Sequence, residues 1–323
     1  MRHRFTRAAL GVAIAFLFAA CNVDQPNTSV TESTPPEAPV AELPGQAVQP
    51  PVTAQPAFTR TVDDPQVEWL SCPEFMPDDC ELAIVQGLDP AGLNADAFFK
   101  MQPGTTVPEH WHTSAERMIL LSGVMEVDYQ GQDPVRVHPG TYAYGPAQLP
   151  HETHCLEEGG EACVLFIAFE EPVDAIDIED AEPDQISDEG AFIRTVDDVD
   201  AMEMGWAPCP EFMPEGCELH VIRDDEGVNA DALFKMAPGT TVPTHWHTSA
   251  ERMVLLSGEM RVNYQGQRPS QFGPFTYAYG PPGLPHETRC AEGEECVLFI
   301  AFEKPVDAID VRGGNLPHRP ERP

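Results

Sequence analysis

The chain has 323 residues, and its 53 acidic side chains against 18 Lys and Arg give a net charge of −35. So acidic a surface excludes nucleic acid as a partner and excludes electrostatic docking on anionic lipid. The length is sufficient for two domains of ordinary size.

Residues 1–21 have the pattern of an export signal. Arginines precede an apolar run at 8–20, which is too short to span a bilayer but typical of the apolar core of a signal peptide. The run ends in Phe18-Ala19-Ala20-Cys21, which resembles the lipobox of bacterial lipoproteins, although Leu17 lies one place earlier than that family's Leu. The resemblance implies that Cys21 is lipidated and anchors the protein in the cell envelope. The alternative is ordinary cleavage, which would release a soluble exported protein.

The other eight cysteines fall into four close pairs. These are Cys72 and Cys80, Cys155 and Cys163, Cys209 and Cys217, and Cys290 and Cys296. We predict a disulfide within each pair, as suits an oxidising compartment, although eight cysteines allow 105 connectivities. Thiolate metal sites are the alternative, but the pairs lack the short Cys-x2-Cys spacing that zinc favours.

The rest of the chain is organised around an internal repeat. CPEFMPDDCEL returns as CPEFMPEGCEL, and 96–155 matches 231–290 at roughly 44 of 60 positions without a gap. We predict a disordered Pro- and Thr-rich tether at 22–57, because that segment has too few large apolar residues to form a core. The predicted boundaries of the remaining parts are a first domain at 58–178, an acidic linker at 179–190, a second domain at 191–311 and a polar tail at 312–323.

Each repeat unit has the pattern of a β-domain. Short apolar or alternating stretches such as RMILLSG and CVLFIAFE are separated by Pro, Gly, Asn and Asp. No long stretch has helical periodicity. The sequence therefore predicts an all-β sandwich or small barrel in each unit.

Two histidines and a glutamate recur in both units at one spacing, Gly-x5-His-x-His-x3-Glu-x6-Gly. Residues two apart on a strand face the same side, so His110 and His112 point together. Glu116 shares its parity with Met118, which places its side chain in the interior. A fourth ligand is expected farther along the chain, at His151.

This motif resembles that of the cupin superfamily, and the resemblance covers essentially everything after the tether. It implies two tandem jelly-roll barrels, each with a three-histidine, one-glutamate metal site. The implied ligands are His110, His112, Glu116 and His151, then His245, His247, Glu251 and His286. The second cupin motif is matched only loosely, because Cys155 and Cys290 stand near the position of its terminal Asn. Unit two also has Phe275 where unit one has Gly140, which predicts a differently built turn.

Imidazole and carboxylate ligands suit Fe, Mn, Cu, Zn or Ni, and four protein ligands leave an octahedral ion open to a substrate. The first hypothesis is therefore a metal-dependent oxidoreductase of the dioxygenase type, or an isomerase, that acts on a small molecule. The second is a non-catalytic module that binds a metal or small ligand. The third is a surface protein whose metals only stabilise the barrels. The two barrels can pair within a monomer, and further oligomerisation stays open.

The remaining polar candidates are weaker. Four tyrosines on one strand face either line the pocket or pack in the core, and we favour the core for Tyr142, Tyr144, Tyr277 and Tyr279. Lys100 and Lys235 fit a solvated strand edge better than a catalytic amine. We exclude His138, His154 and His220 from the site because neither unit repeats them.

Overall fold

The described part of the chain is almost entirely β-structure. The computed structural model describes residues 55–87, 94–179, 186–187, 189–225 and 227–311. The predicted signal, Cys21, the tail and most of the tether and linker lie outside these residues. No described helix is long and apolar enough to cross a bilayer.

The first half of the described chain contains twelve strands and a 3₁₀ turn (Glu157–Gly159). The strands are β1 (Phe58–Arg60), β2 (Leu70–Ser71), β3 (Glu81–Gln86), β4 (Ala95–Met101), β5 (Thr106–Trp111), β6 (Glu116–Ser122), β7 (Met125–Tyr129), β8 (Val135–Val137), β9 (Tyr142–Gly145), β10 (His151–Cys155), β11 (Cys163–Phe169) and β12 (Ile176–Asp177).

The second half repeats this order and adds one short helix, α1 (Val196–Asp200). Its strands are β13 (Phe192–Arg194), β14 (Ala207–Pro208), β15 (Cys217–Asp225), β16 (Val228–Met236), β17 (Thr241–Trp246), β18 (Glu251–Ser257), β19 (Met260–Tyr264), β20 (Ser270–Phe272), β21 (Tyr277–Gly280), β22 (His286–Cys290), β23 (Cys296–Phe302) and β24 (Ile309–Asp310).

Each half forms a barrel from one seven-stranded and one five-stranded antiparallel sheet. In the first barrel the sheet orders are β13-β9-β6-β11-β4-β3-β2 and β12-β5-β10-β7-β8. The second barrel has the orders β1-β21-β18-β23-β16-β15-β14 and β20-β19-β22-β17-β24. The leading strands are therefore exchanged, because β1 pairs with β21 of the second barrel and β13 pairs with β9 of the first. The predicted all-β class is confirmed.

The burial pattern of the strands follows from how the sheets pack. β7 and β10 alternate between buried residues and half-buried or exposed ones, because one face of their sheet lines the barrel and the other meets solvent. In contrast, all seven residues of β11 are buried. Its neighbouring residues Leu165 and Phe166 belong to two different apolar clusters, one inside the barrel and one that also contains Phe299 of the second barrel. The seven-stranded sheets therefore pack against each other.

Two matched buried ion pairs cross this interface. Arg117 Nη1 donates to Asp231 Oδ1 at 3.3 Å and to the Phe302 carbonyl at 3.2 Å. Arg252 makes the equivalent bonds from the other side, at 3.2 Å to Asp96 and 3.1 Å to the Phe169 carbonyl. All four charged side chains are fully buried.

The four tyrosines lie in the cluster between the barrels and line neither barrel cavity, as the favoured interpretation predicts. The Tyr142 hydroxyl donates to Asp231 Oδ2 at 2.7 Å, and the Tyr277 hydroxyl donates to Asp96 Oδ2 at 2.6 Å. Tyr144 and Tyr279 extend the same layer against the exchanged strands, where their rings contact Phe192 and Phe58.

The cysteine pairs are joined as the spacing predicts. Each of the four pairs is at bonding distance, with Cα atoms between 5.5 and 5.8 Å apart. Two pairs join the start of the last long strand of a barrel to the strand that carries the fourth predicted ligand. The other two close loops that border the barrel cavities, beginning at Cys72 and Cys209.

The turn at Phe275 differs from the prediction. Gly140 and Phe275 both have left-handed backbones, with φ of 85° and 61°, and both N–H groups donate to the carbonyl of the matching leucine, Leu120 or Leu255. The two turns are built alike, so the predicted difference is wrong. Phe275 packs against the apolar cluster between the barrels, and this contact offsets the roughly 1–2 kcal/mol cost of a left-handed non-glycine residue.

Candidate metal centres

Three strands bring the predicted ligands of the first barrel together. His110 on β5 lies directly opposite His151 on β10, and their ring centroids are 4.4 Å apart. His112 follows β5 on the same side, and Glu116 begins β6. One ring nitrogen from each histidine lies within 4.8 Å of the others.

The second barrel repeats this arrangement. His245 lies opposite His286 at a ring distance of 4.3 Å, and His247 and Glu251 occupy the matching positions. Its three ring nitrogens also lie within 4.8 Å of one another. All eight predicted ligands are buried.

Backbone carbonyls fix the orientation of every ring. Nδ1 of His110 is 2.8 Å from the Pro108 carbonyl, and Nδ1 of His151 is 3.2 Å from that of Leu149. Nδ1 of His112 contacts the Asp174 carbonyl. The second barrel has the same contacts, to the carbonyls of Pro243, Asp307 and Leu284. A ring that donates through Nδ1 presents the lone pair of Nε2, the arrangement typical of metal-binding histidines.

The glutamates face these lone pairs. Glu116 Oε1 is 3.2 Å from Nε2 of His112, and its Oε2 is 3.4 Å from Nε2 of His151. The distances in the second barrel are also 3.2 and 3.4 Å. Nε2 of His112 and Nε2 of His247 are buried without a hydrogen-bond partner. A neutral imidazole nitrogen and a carboxylate are both acceptors, so the contact becomes favourable when a cation, either a metal ion or a proton, lies between them.

In the first barrel, burial keeps His110 and His151 neutral. Burial, reinforced by the neighbouring His112 ring, lowers the pKa of His110 to about 3. Burial also lowers the pKa of His151 to about 3, although the Glu116 carboxylate acts in the opposite direction. Neutral imidazole is the form that binds a metal.

The second barrel combines neutral rings with an ion pair. Burial lowers the pKa values of His245 and His286. Burial also acts to lower the pKa of His247, but the Glu251 carboxylate more than offsets it and the pKa is raised. Burial acts to raise the pKa of Glu251, yet the rings of His247 and His286 bring it down to about 2. A metal would therefore displace a proton shared between His247 and Glu251.

These observations fit a divalent transition metal in each barrel. The donor set of three imidazole nitrogens and one carboxylate oxygen suits Mn, Fe, Ni, Cu or Zn. The oriented lone pairs and the acceptor-to-acceptor contacts leave a place for a cation. The structure therefore contains two candidate divalent metal sites, whose metal identity the geometry does not select.

A tyrosine and a glycine beside each glutamate were missed by the sequence analysis. The Tyr129 and Tyr264 hydroxyls are buried without a partner. A Cβ atom at Gly145 would lie 3.1 Å from Glu116 Oε2, and one at Gly280 would lie 2.8 Å from Glu251 Oε2. Each glycine therefore leaves the space that its glutamate occupies. The alternation along β7 and β19 was the available signal, since both tyrosines have inward parity.

The two candidate sites differ in the space beside them. The cavity at the first site has a volume of about 110 Å³, whereas that at the second is about 720 Å³. The inner walls match, for example Met118 with Met253 and Phe169 with Phe302. The larger cavity continues outward past Met204.

The outward extension coincides with a segment in which the repeats differ. Seven residues, 199–205, separate Asp198 from Trp206, but only four, 65–68, separate Asp64 from Trp69. In the second unit Thr195 caps α1 through a capping box with Asp198. In the first unit Pro65 takes the place of Val199, and proline cannot provide the N–H that a helix needs there.

The remaining polar candidates lie outside both clusters. Lys100 and Lys235 stack over the rings of Trp69 and Trp206 at 4.3 and 4.1 Å. His138 and His154 line neither of the two cavities. His220 is also outside the metal cluster, but it borders the larger cavity.

Comparison with known families agrees with this fold. The family described as "Cupin domain" matches residues 97–168, and the family described as "ChrR Cupin-like domain" matches residues 196–305. The chain is a tandem member of the cupin superfamily, which confirms the resemblance.

Solved structures of two-barrel cupins share the architecture. An E162A mutant of Bacillus subtilis oxalate decarboxylase has a TM-score of 0.54 at 16% identity, over 81% of this chain and 80% of that one. Lactobacillus farciminis oxalate decarboxylase in complex with formate also has a TM-score of 0.54, at 14% identity over 80% and 88%. A structure of B. subtilis oxalate decarboxylase, from a study of the Mn(II) centres of that enzyme, has a TM-score of 0.51 at 19% identity, over 81% of this chain and 80% of that one. No curated protein sequence matches the chain.

Proposed function

We propose that this chain is an exported, lipid-anchored metalloenzyme of the dioxygenase type, with a divalent redox metal in each barrel. The observation that carries the proposal is the pair of buried His3Glu clusters whose Nε2 lone pairs converge, one beside a large cavity. When bound, a redox-active metal would supply activation of dioxygen or polarisation of a substrate oxygen. Both oxygen atoms enter the product of such a reaction, so the substrate supplies the electrons and no separate reductant is required.

The chain's own residues have distinct roles in this proposal. His245, His247 and His286 hold the metal, and the carbonyls behind them keep the rings from rotating. Glu251 completes the donor set. The apolar wall excludes water, and the Tyr264 hydroxyl is the uncommitted polar group beside Glu251.

The test is elemental analysis of protein purified from the exported fraction without added metal. About two equivalents of Fe, Mn or Cu are expected, falling to one in His110→Ala and to one in His245→Ala. Oxygen consumption with a substrate panel should be lost in His245→Ala. Zinc alone, with no turnover after loading with a redox metal, would contradict the oxidoreductase proposal.

The small cavity of the first barrel favours a second role there. Its volume of about 110 Å³ has room for few atoms beside the ligands, so a metal at His110, His112, Glu116 and His151 would chiefly stabilise the barrel. Thermal unfolding of His110→Ala should then occur at a lower temperature while turnover persists. If turnover is lost equally in both variants, the two sites have the same role.

The export and anchoring proposal rests on residues 1–21. The four disulfides support export, because disulfides form and persist in oxidising compartments outside the cytoplasm. Cys21→Ser should move the protein from the membrane fraction to the soluble exported fraction. An unchanged membrane fraction would contradict lipidation.

A further inference from the structure

The cavity of the second barrel has the size and surface of a site for an organic molecule. Its volume of about 720 Å³ lies within the range usual for drug-sized ligands. The inner wall is aliphatic and aromatic, formed by Met213, Phe234, Met253, Leu298, Ile300 and Phe302. His247, Glu251 and His286 stand at one end of this space.

The charge of the lining argues against a small dianion such as oxalate. None of the described residues that line the cavity is lysine or arginine, and Glu211 adds a carboxylate. Arg252 follows Glu251 but points to the other barrel, where it bonds Asp96. With a net charge of −35 on the chain, the metal would be the sole nearby cation available to a dianion among the described lining. An apolar molecule, in contrast, is stabilised by burying its surface against the aliphatic and aromatic wall.

We propose that the second barrel binds a largely apolar organic molecule, aromatic or branched aliphatic, that directs one oxygen-bearing group toward His247, Glu251 and His286. The inference rests on the proposed function only for that polar end, because the apolar wall acts on the rest of the molecule with or without a metal. The first barrel, with its cavity of about 110 Å³, does not take this ligand.

The mouth of the cavity offers matched variants. Ala207 on β14 is exposed and borders the cavity, so a tryptophan there would narrow the mouth without entering the core. Leu70 holds the equivalent place on β2, is 57% exposed, and borders no part of the smaller cavity. Met204 is 91% exposed at the same mouth.

The experiment is isothermal titration calorimetry on the full chain, metal-loaded and metal-free, with metal content measured on the same samples. The probes are 1-naphthoate, oxalate and the uncharged 1-naphthol. Loaded protein should bind 1-naphthoate at least about tenfold more tightly than oxalate. Metal-free protein should still bind 1-naphthol. Ala207→Trp should weaken naphthol binding about tenfold, and Leu70→Trp should leave it unchanged.

The outcomes separate this inference from the proposed function. Tighter binding of oxalate than of naphthoate, or naphthol binding that is absent or insensitive to Ala207→Trp, would overturn the inference while a full metal content leaves the metalloenzyme proposal standing. Naphthol binding that Ala207→Trp weakens, in protein that never holds a metal, would support the apolar site and contradict the metalloenzyme. If Ala207→Trp does not fold, Met204→Asp provides the same test, with an expected loss of about threefold.

Discussion

The two barrels have the same ligands in the same geometry but different access to them. Corresponding distances from glutamate to histidine are identical, at 3.2 and 3.4 Å, whereas the cavities differ by about 610 Å³. The ligands are positioned by strand pairing inside each unit, where the repeats are nearly identical. Access depends on the segment before the first cysteine of each unit, where they differ. Donor geometry and ligand access are therefore controlled by separate parts of the sequence.

The largest expected effect tests whether the barrels are equivalent at their shared interface. Arg117→Ala removes the guanidinium that bonds the buried Asp231 carboxyl directly, and we expect a loss of about 3–5 kcal/mol in the free energy of unfolding. Arg252→Ala should cost the same, because Asp96 is left in the same way. Urea unfolding measures both. The exposed Arg136→Ala is the control, with an expected change below about 1 kcal/mol, and clearly unequal losses would break the equivalence.

A methyl group beside the glutamate should distinguish the two sites. Gly280→Ala would place a Cβ atom 2.7 Å from the Tyr264 hydroxyl and 2.8 Å from Glu251 Oε2, closer than any contact expected at Gly145. We expect metal affinity in the second barrel to fall about ten- to a hundredfold, as for other disturbed ligand supports. Gly145→Ala should have a smaller effect on the first barrel. Competition with a chelator measures both affinities, and an equal loss would contradict this difference.

The pH dependence of metal-free protein should have opposite signs at His110 and His247. The pKa of His110 is about 3 in the folded protein and about 6.5 in the unfolded chain. Between these two pH values the unfolded chain binds more protons, so folding stability decreases by up to about 1.4 kcal/mol for each unit by which the pH is lowered. The pKa of His247 is raised, so its contribution is present below pH 6.5 and is lost as the pH rises through the folded value.

The two glutamine variants measure these signs. The stability difference between wild type and His110→Gln should shrink as the pH falls from 7 to 5, and the difference for His247→Gln should grow. Thermal unfolding in chelator gives both curves. Two curves of the same sign would show that the protonation states of these sites are not as assigned.

The smallest effect concerns the matched turns. No heavy atom lies within 4 Å of a Cβ built at Gly140, so Gly140→Ala tests the left-handed backbone alone. We expect a loss of about 1 kcal/mol in urea unfolding. Phe275→Ala should cost more, because it also removes packing between the barrels. A neutral Gly140→Ala would mean that the turn readily adopts another backbone.

The structure brings the eight predicted ligand residues together in two clusters, and the sequence could predict this because the geometry within each motif is local. The parity of His110 and His112 on one strand and the position of Glu116 at the start of the next are set within a few residues. The four cysteine pairs also close short loops, with sequence separations of 8, 8, 8 and 6. His151 is distant in the chain, but its place was implied by the family resemblance and repeated at His286.

Features that depend on contacts between the two units could not be predicted from the sequence. The exchange of β1 and β13 joins segments far apart in the chain, and no local pattern encodes it. Phe275 has a left-handed backbone while its ring packs against the apolar cluster between the barrels. The larger cavity, and with it His220, depends on how residues 199–205 pack, which composition does not show.

The exchange of β1 and β13 indicates how a two-barrel chain could arise from two associating units. In an ancestral pair of single units, the leading strand of each would have added to the sheet of the other, as β1 and β13 do here. Such a unit would have been an obligate dimer through mutual strand exchange. Fusion into one chain makes that association intramolecular and independent of protein concentration. In a homodimer both subunits have the same sequence, whereas the two halves of a fused chain can change separately. The residues around the two cavities were therefore free to diverge.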